Sequence, residues 1–392
     1  MTATVVVVGY NRARSLERLL ASLAAAEYPA GVDVPLVISI DRDDSEGWRD
    51  VCRLADGFVW THGPKRVIEH DAHLGLLEHL RRCGRLSGEY GDIVLLEDDL
   101  LVAPPFYQFA AAALDAYRDD HRIAGVCLYG LWFNGFTQEP FLPLDDGGDE
   151  FFLKLPYTQG LAFSAAQWQR LDDAFAGGRA APHPDLHRSF LGFGEDEWFP
   201  AVARQLVVDD RYFVFPRSSL TVGSGDAGTH FDTGTSWLQT PVPVRGRPYN
   251  FLPFDEAIAV YDSFYELLPD RLRRIAPSLP AEPFDVDLNA TKPPAALHEG
   301  LVLTTRPVRR AVASFALQRV PPELNLTEAA EDGAISLARR EDVRWGALAS
   351  LEARRRLHAY HWRRHRASRR RSLGFLLGRL GELLRPGGRK RP

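Results

Sequence analysis

The chain has 392 residues, of which 45% are hydrophobic, and its formal net charge is −5. This length predicts one large catalytic domain with an appendage, and the hydrophobic content allows a substantial core. The three cysteines lack the spacing of metal ligands, which argues against a disulfide framework or structural zinc and for a reducing compartment, most simply the cytosol. The first residues are strand-like, so we expect neither a signal peptide nor an N-terminal membrane anchor.

The first third of the chain alternates between strand and helix patterns. Strands are predicted over 5–8, 35–40, 58–61, 92–96 and 123–129, and helices over 15–26, 46–54, 74–86 and 105–117. Residues 63–73 are predicted to be a loop rich in histidine and charge. This alternation predicts an α/β fold with a mixed, mainly parallel sheet flanked by helices and right-handed crossovers.

After residue 130 the alternation becomes irregular. Strands are predicted over 151–155, 160–163 and 207–215, with a helix over 165–175. Proline becomes frequent beyond residue 270, where periodic patterns fade. We therefore divide the chain into a catalytic domain, 1–265, a Pro-rich linker or wrapping segment, 266–340, and a basic amphipathic helical tail, 341–392.

An acidic triplet, Glu97, Asp98 and Asp99, follows the strand predicted over 92–96. That strand is apolar enough to be covered on both faces, and open α/β sheets bind ligands at the carboxyl ends of such strands. Burying an ionised carboxylate without a partner costs several kcal/mol, and no Lys or Arg occurs in the five residues after the triplet. A hard divalent cation is the expected counter-charge. The alternative is a solvated acidic turn.

A second acidic group, Glu195, Asp196 and Glu197, lies between a glycine-containing turn and a predicted helix. Mutual repulsion and apolar neighbours such as Trp198 are expected to raise the proton affinity of at least one of these carboxylates. A general base needs such a carboxylate within about 2.6–3.2 Å of the hydroxyl that it deprotonates. The alternative is an acidic first turn that interacts favourably with the helix dipole.

The segment 93–106, with the sequence IVLLEDDLLVAPPF, resembles the acidic metal-binding segment of the N-acetylglucosaminyltransferase I family and related inverting glycosyltransferases of the GT-A fold. Segment 131–135 resembles the part of that family after the fifth strand, and 159–162 resembles its small-residue donor wall. Segment 195–198 resembles the catalytic-base segment, and is similar also to the Glu-Asp motif of bacterial family 2 glycosyltransferases. The resemblance covers residues 4–235.

The resemblance implies a role for each acidic residue of the two groups. Asp99 would ligate Mn²⁺ or Mg²⁺ bound to the donor diphosphate, while Glu97 and Asp98 would contact the sugar and the ribose. Asp196 would be the catalytic base. Glu195, which stands where the family has an aromatic residue, is the alternative base.

The same resemblance implies further donor contacts. Arg12 falls where the family places a basic residue on the nucleotide, and Asp41 matches an acidic residue near the nucleoside. Gly160 belongs to the donor wall. His230 lies in a glycine-rich loop that would close over the nucleotide and touch the metal, unless it is a solvent-exposed loop histidine. Trp132 is either part of a sugar-stacking platform or part of the core.

The resemblance therefore implies a metal-dependent inverting glycosyltransferase of the hexosyltransferase or N-acetylhexosaminyltransferase type. It would move a sugar from a nucleotide-diphosphate donor, with UDP as the expected nucleotide, to a glycan or lipid-linked acceptor of the cell envelope. A nucleotidyltransferase of similar fold is one alternative, although the loop after the first strand is not glycine-rich. A noncatalytic scaffold at the membrane is another, and would lack metal-dependent binding of nucleotide sugars.

The last 47 residues carry a net charge of +12, which leaves −17 on the rest of the chain. A leucine stripe at helical spacing within this tail predicts a basic amphipathic helix that binds an anionic membrane surface, with about 1 kcal/mol from each Lys or Arg. The alternatives are docking of the helix on the catalytic domain or contact with nucleic acid, which the acidic body disfavours. We therefore expect a cytoplasmic protein, peripheral on the inner face of the membrane. The stripe consists of Leu373, Leu376, Leu377, Leu380, Leu383 and Leu384.

Overall fold

A computed structural model describes residues 2–175, 182–193, 197–226, 234, 236, 238–331 and 333–362. The strands are β1 (Thr4–Gly9), β2 (Leu36–Ile40), β3 (Lys65–Glu69), β4 (Ile93–Glu97), β5 (Leu100–Val102), β6 (Ile123–Cys127), β7 (Glu150–Leu153), β8 (Leu161–Phe163), β9 (Tyr212–Pro216), β10 (Thr221–Gly223), β11 (Val260–Tyr261), β12 (Phe284–Asp287), β13 (Leu301–Thr304), β14 (Ala313–Phe315) and β15 (Ile335–Arg339). The helices are α1 (Ala13–Ala24), α2 (Glu46–Gly57), α3 (Leu76–Arg85), α4 (Ser87–Tyr90), α5 (Phe106–Ala116), α6 (Ala165–Phe175), α7 (Phe199–Val208), α8 (Pro269–Ile275) and α9 (Ala347–Trp362).

The main sheet has the strand order β11-β7-β9-β6-β8-β4-β1-β2-β3 among the described residues. Strands β3, β2, β1 and β4 run parallel to one another, and β8 is antiparallel to both of its neighbours, β4 and β6. The predicted fold class, a mixed and mainly parallel sheet flanked by helices, is confirmed.

Strand β1 shows why the sheet forms here. Successive side chains of a strand point to opposite faces, so a run of apolar β-branched residues requires cover on both sides. Val5 and Val7 pack in one hydrophobic cluster with the leucines of α1, and Val6 and Val8 pack in another with Trp168 of α6. The sheet therefore has a core on each face, which holds the carboxyl ends of its central strands in fixed positions.

The third strand lies later in the chain than predicted. Residues 58–61 are not a strand, and β3 forms instead within the segment predicted as a loop. The strand pairs only with β2 at the edge of the sheet, and edge strands tolerate charged residues such as Lys65 and Glu69. The apolar signal at 58–61 has another cause: Trp60 is buried, and its indole nitrogen donates to the Val34 carbonyl at 2.8 Å.

The segment 266–340 is more ordered than the linker that its proline content predicts. It contains a four-stranded sheet in the order β12-β13-β15-β14. Its apolar side chains belong to the same hydrophobic cluster as one face of the main sheet. The strands are three to five residues long, too short for a periodic pattern to stand out between the prolines.

Buried charges also join the two sheets. The Glu266 carboxylate accepts a hydrogen bond from the Asn289 backbone at 2.7 Å, and Lys292 Nζ lies 2.6 Å from an Asp262 carboxylate oxygen. Burial, then Asp287 and Asp262, raises the pKa of Glu266 well above its usual range. The Lys292–Asp262 ion pair links the chain on either side of residue 265, and its two side chains are only 10% and 18% exposed.

Helix α9 docks on the folded body. Its residues Ala353 and Leu357 pack against Ala290, and Trp362 Nε1 donates to a Glu139 carboxylate oxygen at 2.7 Å. The leucine stripe predicted to bind a membrane lies beyond residue 362, outside the described residues. Within the described ranges, no helix combines the length and the apolar character needed to cross a membrane.

The packing of α3 on α6 gives a test of the core. A Cβ added at Gly84 would lie 2.0 Å from the Trp168 indole, so Gly84→Ala should lower the free energy of unfolding by about 1–3 kcal/mol. Urea unfolding followed by circular dichroism measures the change. Gly88→Ala in α4 is the control, because an added Cβ meets no atom within 4 Å there. Equal stability of the two variants would contradict this packing.

Candidate active site

The acidic triplet lies where three parallel strands end together. Val8 pairs with Glu97 across β1 and β4, and Gly9 pairs with Ile40 across β1 and β2. The Asp98 backbone amide donates to the Val8 carbonyl at 3.1 Å, which continues the ladder one residue beyond β4. This extension turns the carboxylates toward the loop that follows β1.

Arg12 from that loop holds two of the three carboxylates. Its Nη2 donates to Asp98 Oδ1 at 2.5 Å and its Nη1 donates to Asp99 Oδ2 at 3.0 Å. Asp98 Oδ2 also accepts a hydrogen bond from the Tyr10 amide at 3.3 Å. The expectation that a metal must supply the counter-charge, based on the residues after the triplet, is therefore incomplete: the first counter-charge is Arg12, 86 residues earlier in the chain.

One guanidinium does not balance the whole triplet. Burial, followed by repulsion from Asp99 and Asp98, raises the pKa of Glu97 to about 8, although Arg12 acts in the opposite direction. Burial also raises the pKa of Asp98 to about 6, where Arg12 again opposes the shift and Asp99 adds to it. Glu97 is therefore largely protonated near neutral pH, and the cluster still attracts positive charge.

The second acidic group approaches the first. Glu197 adds to the raised pKa of Glu97, which requires the two carboxyl groups to lie within electrostatic range. The next residue, Trp198, is buried and precedes α7, so it fixes the chain at this point. Glu195 and Asp196 lie outside the described residues, and their role as the base stays a prediction.

The loop that contains His230 leaves the sheet beside the triplet. The Ser224 amide, just after β10, donates to the Asp99 carbonyl at 2.6 Å. Asp226 then forms an ion pair with Arg18 and accepts a hydrogen bond from Ser15 in α1. Ser15 lies within the first turn of α1, which begins at Ala13, and its hydroxyl holds the chain at Asp226. His230 itself lies outside the described residues.

Asp41 lies one strand away and holds a loop in place. Its carboxylate is buried and accepts backbone hydrogen bonds from Leu74 at 2.8 Å and Gly75 at 3.0 Å. His73 Nδ1 lies 3.0 Å from the same carboxylate, and the His73 ring faces Tyr10 at a centroid distance of 5.5 Å. Asp41 thus shapes the rim of the site beside the triplet, and its predicted contact with a nucleoside remains untested.

A histidine pair beneath this rim, in which His79 is buried and His70 is half-buried, was not found from the sequence. Ser39 Oγ lies 3.0 Å from His70 Nε2 and 2.9 Å from His79 Nε2. Burial lowers the pKa of His79 to about 4, which outweighs the attraction of Asp41. The only sequence signal is the histidine content of residues 70–79, because nothing in their spacing places them on one serine.

Gly160 lies on the floor of the site for a steric reason. Its φ is +87°, and an added Cβ would lie 2.9 Å from Thr221 and 3.3 Å from Leu96, the residue before the triplet. Its neighbour Gln159 was noted in the sequence only as part of the donor-wall segment. Gln159 is 9% exposed, and its Oε1 has no hydrogen-bond partner among the described residues. Such a buried amide is a candidate contact for a ligand hydroxyl.

The register of β8 places Gln159 next to the triplet. Leu161 pairs with Leu95 in the antiparallel pair β8 and β4, so Gln159 comes level with Glu97 two residues later. Trp132 is half-buried and packs edge-on against Phe133 with ring centroids 5.2 Å apart. This contact is compatible with both predictions made for Trp132, core packing and sugar stacking.

The carboxylates suit a hard cation such as Mg²⁺ or Mn²⁺, because these ions prefer oxygen ligands. Asp99 is the accessible member of the triplet, with 36% of its side chain exposed, whereas Asp98 is 3% exposed. Among the described residues, no group of three His, Cys, Asp or Glu side chains is arranged to hold a metal ion. The residues fit a cation that one carboxylate holds together with oxygen atoms of a bound ligand.

No protein-family model matches the chain, and no curated protein matches it either. Among solved structures, residues 1–349 of TarS from S. aureus align at 15% identity and a TM-score of 0.37, covering 58% of this chain and 61% of that one. The same TarS fragment has been solved with UDP and with UDP-GlcNAc. This chain thus spans about three fifths of the first structure that it matches.

Two other solved structures also align with this chain. Mannosyltransferase PcManGT from Pyrobaculum calidifontis, solved with GDP-Man and Mn²⁺, aligns at 17% identity and a TM-score of 0.32, covering 43% of this chain and 46% of that one. GalNAc-T7, solved with UDP, GalNAc and Mn²⁺, aligns at 12% identity and a TM-score of 0.37, covering 55% of this chain and 42% of that one. These structural neighbours are glycosyltransferases, the class that the sequence resemblance names. At such identities and TM-scores the likeness itself assigns no function to this chain.

The buried His79 predicts a pH dependence of stability. Because the pKa of His79 falls from 6.5 to about 4 on folding, the unfolded chain binds this proton more readily, and stability decreases as the pH falls from 6.5 toward 4. His79→Asn removes this titration, so the loss of unfolding free energy between pH 7 and pH 5 should shrink by about 2 kcal/mol. Urea unfolding of the wild type and of His79→Asn at pH 7, 6 and 5 measures this change in the free energy of unfolding.

His121→Asn serves as the control for the histidine experiment, because His121 is exposed on the surface. This variant should keep the pH dependence of the wild type. A His79→Asn protein whose stability falls with pH as steeply as that of the wild type would show that His79 is protonated in the folded state.

Proposed function

We propose that this protein is a metal-dependent inverting glycosyltransferase. It would transfer a sugar from a nucleotide-diphosphate donor, with UDP as the nucleotide, to a hydroxyl group of a glycan or glycolipid of the cell envelope. The observation that carries the proposal is the cluster at the ends of β1 and β4, where Arg12 joins Asp98 and Asp99 beside Glu97, whose pKa is raised by burial. A guanidinium for phosphate and carboxylates for a cation are what a nucleotide sugar with its metal requires.

Arg12 would bind the donor diphosphate. Guanidinium groups bind phosphate oxygens through paired hydrogen bonds, and the Arg12 side chain is 36% exposed, so phosphate has access to it. Protonated Glu97 would donate a hydrogen bond to an oxygen of the sugar or ribose. Gln159 Oε1 would accept one from a sugar hydroxyl, which satisfies its buried oxygen.

Asp99 would hold the cation, with His230 as the predicted second protein ligand. Asp99 is 36% exposed and already pairs with one cationic group, Arg12, which supports its binding a second positive partner. When bound, Mn²⁺ or Mg²⁺ supplies positive charge for the leaving diphosphate. Asp98 stays on Arg12 and on the Tyr10 amide, and so keeps the loop after β1 in place.

Asp196, or Glu195 in its place, would take the proton from the acceptor hydroxyl as the hydroxyl attacks the anomeric carbon. The electrostatic effect of Glu197 on Glu97 supports this assignment, because Glu197 directly follows the two candidate bases in the chain. A single base without a nucleophilic carboxylate corresponds to one displacement, which inverts the anomeric configuration.

We also propose that the basic tail binds an anionic membrane surface. The net charge of +12 on residues 346–392 supports this, since the remaining chain carries −17. An acceptor linked to a lipid would then meet the active site at the membrane.

Two substitutions separate donor binding from catalysis. Asp99→Ala should abolish the part of UDP binding that depends on Mn²⁺, measured by calorimetry with and without the ion, because the accessible carboxylate is lost.

Asp196→Asn should keep UDP binding and lower transfer by about 10²–10⁴-fold, because the hydroxyl is no longer deprotonated. The exposed Asp119→Asn is the matched control and should change neither quantity.

Full transfer activity in Asp196→Asn would move the base to Glu195. UDP binding that is unaffected by Mn²⁺ in the wild type would contradict the metal site. No UDP binding, or UDP binding that Mn²⁺ does not change, together with no turnover of any UDP-sugar, would favour a noncatalytic scaffold.

Deletion of residues 368–392 tests the membrane proposal. Because the deletion removes the leucine stripe and much of the positive charge, it should release the protein from vesicles that contain phosphatidylserine, measured by cosedimentation. Transfer to a soluble acceptor should be retained. Neutral vesicles provide the control, and unchanged affinity for anionic vesicles would disprove the role of the tail.

A further inference from the structure

A groove on the C-terminal sheet lies apart from the acidic cluster. It has a volume of about 440 Å³ and is lined by Gly300, Arg339, Arg340, Glu341 and Trp345. This volume is within the range of small-ligand sites. The space beside the Gly300 backbone is empty, because an added Cβ would meet no atom within 4 Å.

Trp345 is held firmly in this groove. The guanidinium of Arg306 stacks on its ring at 4.7 Å, and Arg306 is itself buried. Arg306 Nε donates to Asp287 Oδ2 at 2.7 Å, and its Nη1 donates to Ser350 Oγ at 3.1 Å. The indole is thus a rigid apolar surface, of the kind on which the C–H face of a sugar ring packs.

The arginines of the groove have spare donors. Arg340 Nη2 donates to the Pro294 carbonyl at 2.9 Å, which fixes the guanidinium while its other N–H groups remain available. Arg339 is exposed and forms no ion pair or side-chain hydrogen bond with the described part of the chain. Arg309 and Arg344 are exposed on the adjoining segments, which pair with each other through the bridge between residues 308 and 343.

The local charge is therefore opposite to that of the molecule as a whole. Acidic residues are present, but Asp342 already faces Arg310 at 3.9 Å, which leaves Glu341 as the carboxylate in the lining. Exposed arginines on a chain whose first 345 residues carry −17 form a confined anion-binding surface.

We infer that this groove binds an acidic saccharide, one or two sugar rings that bear a carboxylate or a phosphate. Trp345 would pack on a sugar ring, and Arg339 and Arg340 would pair with the anionic group. A long nucleic acid is the weaker match, since the acidic body repels an extended polyanion and the groove offers one aromatic ring. The inference is independent of the proposed transfer reaction, because the groove uses none of its residues.

The test is calorimetry on the full chain with trigalacturonic acid, phosphorylated maltotriose and neutral maltotriose. At least one acidic trisaccharide should bind, with an affinity that falls as salt increases, and maltotriose should bind at least tenfold more weakly. The variants R339A/R340A and Trp345→Phe should each weaken binding of the acidic trisaccharide at least fivefold. The comparison between carboxylate and phosphate probes identifies the anionic group.

The control variant is R354A/R355A, which removes the same charge from two exposed arginines of α9. It should bind the acidic trisaccharide as the wild type does, and thermal melting of all variants checks that they are folded. Equal loss in R354A/R355A and R339A/R340A would overturn the inference in favour of general charge attraction. It would also be overturned if neither acidic trisaccharide binds, if maltotriose binds equally well, or if a single-stranded RNA hexamer binds more tightly than both.

Discussion

The ion pairs of Arg12 with Asp98 and Asp99 are the constraint on which the candidate site depends. They connect the loop after β1 to the turn after β4, two points that are 86 residues apart in sequence and adjacent in the sheet. Parallel strands that are covered on both faces can place like charges side by side only if something compensates them. Arg12 compensates part of this charge, and burial, followed by repulsion from Asp99 and Asp98, still raises the pKa of Glu97.

The residues at the ends of these strands also form hydrogen bonds with neighbouring loops. The Asp99 backbone carbonyl accepts a hydrogen bond from the Ser224 amide. The Asp41 carboxylate accepts hydrogen bonds from backbone amides of the loop before α3. Both contacts use groups at the carboxyl ends of strands to fix loops that would otherwise have no partner. The sheet therefore determines the shape of the site, and the loops supply side chains to it.

The central strands could be predicted from the sequence because they are apolar without interruption, as in β1 and β4. The edge strand β3 could not, since Lys65 and Glu69 are compatible with solvent and the signal of Phe58 and Trp60 is stronger. Arg12 could be selected from its position after β1, but its carboxylate partners depend on which strands are neighbours. The contacts of Ser39 with its two histidines, and the position of Gln159 beside the triplet, also depend on which strands are neighbours, so the sequence did not reveal them. The C-terminal sheet escaped prediction because its strands are short and lie among prolines.

The buried charges that join the two sheets have a consequence for how the chain can be divided. Glu266 and Lys292 lie on the C-terminal side of residue 265, and their partners Asn289 and Asp262 lie on both sides of it. Phe284 and Val286 of β12 and Leu303 of β13 share one cluster with Leu161 and Phe163 of β8. A truncated version ending at residue 265 would expose this cluster and leave Asp262 without its ammonium partner. The catalytic part is therefore expected to express in soluble form only together with the smaller sheet, and both should melt in a single cooperative transition.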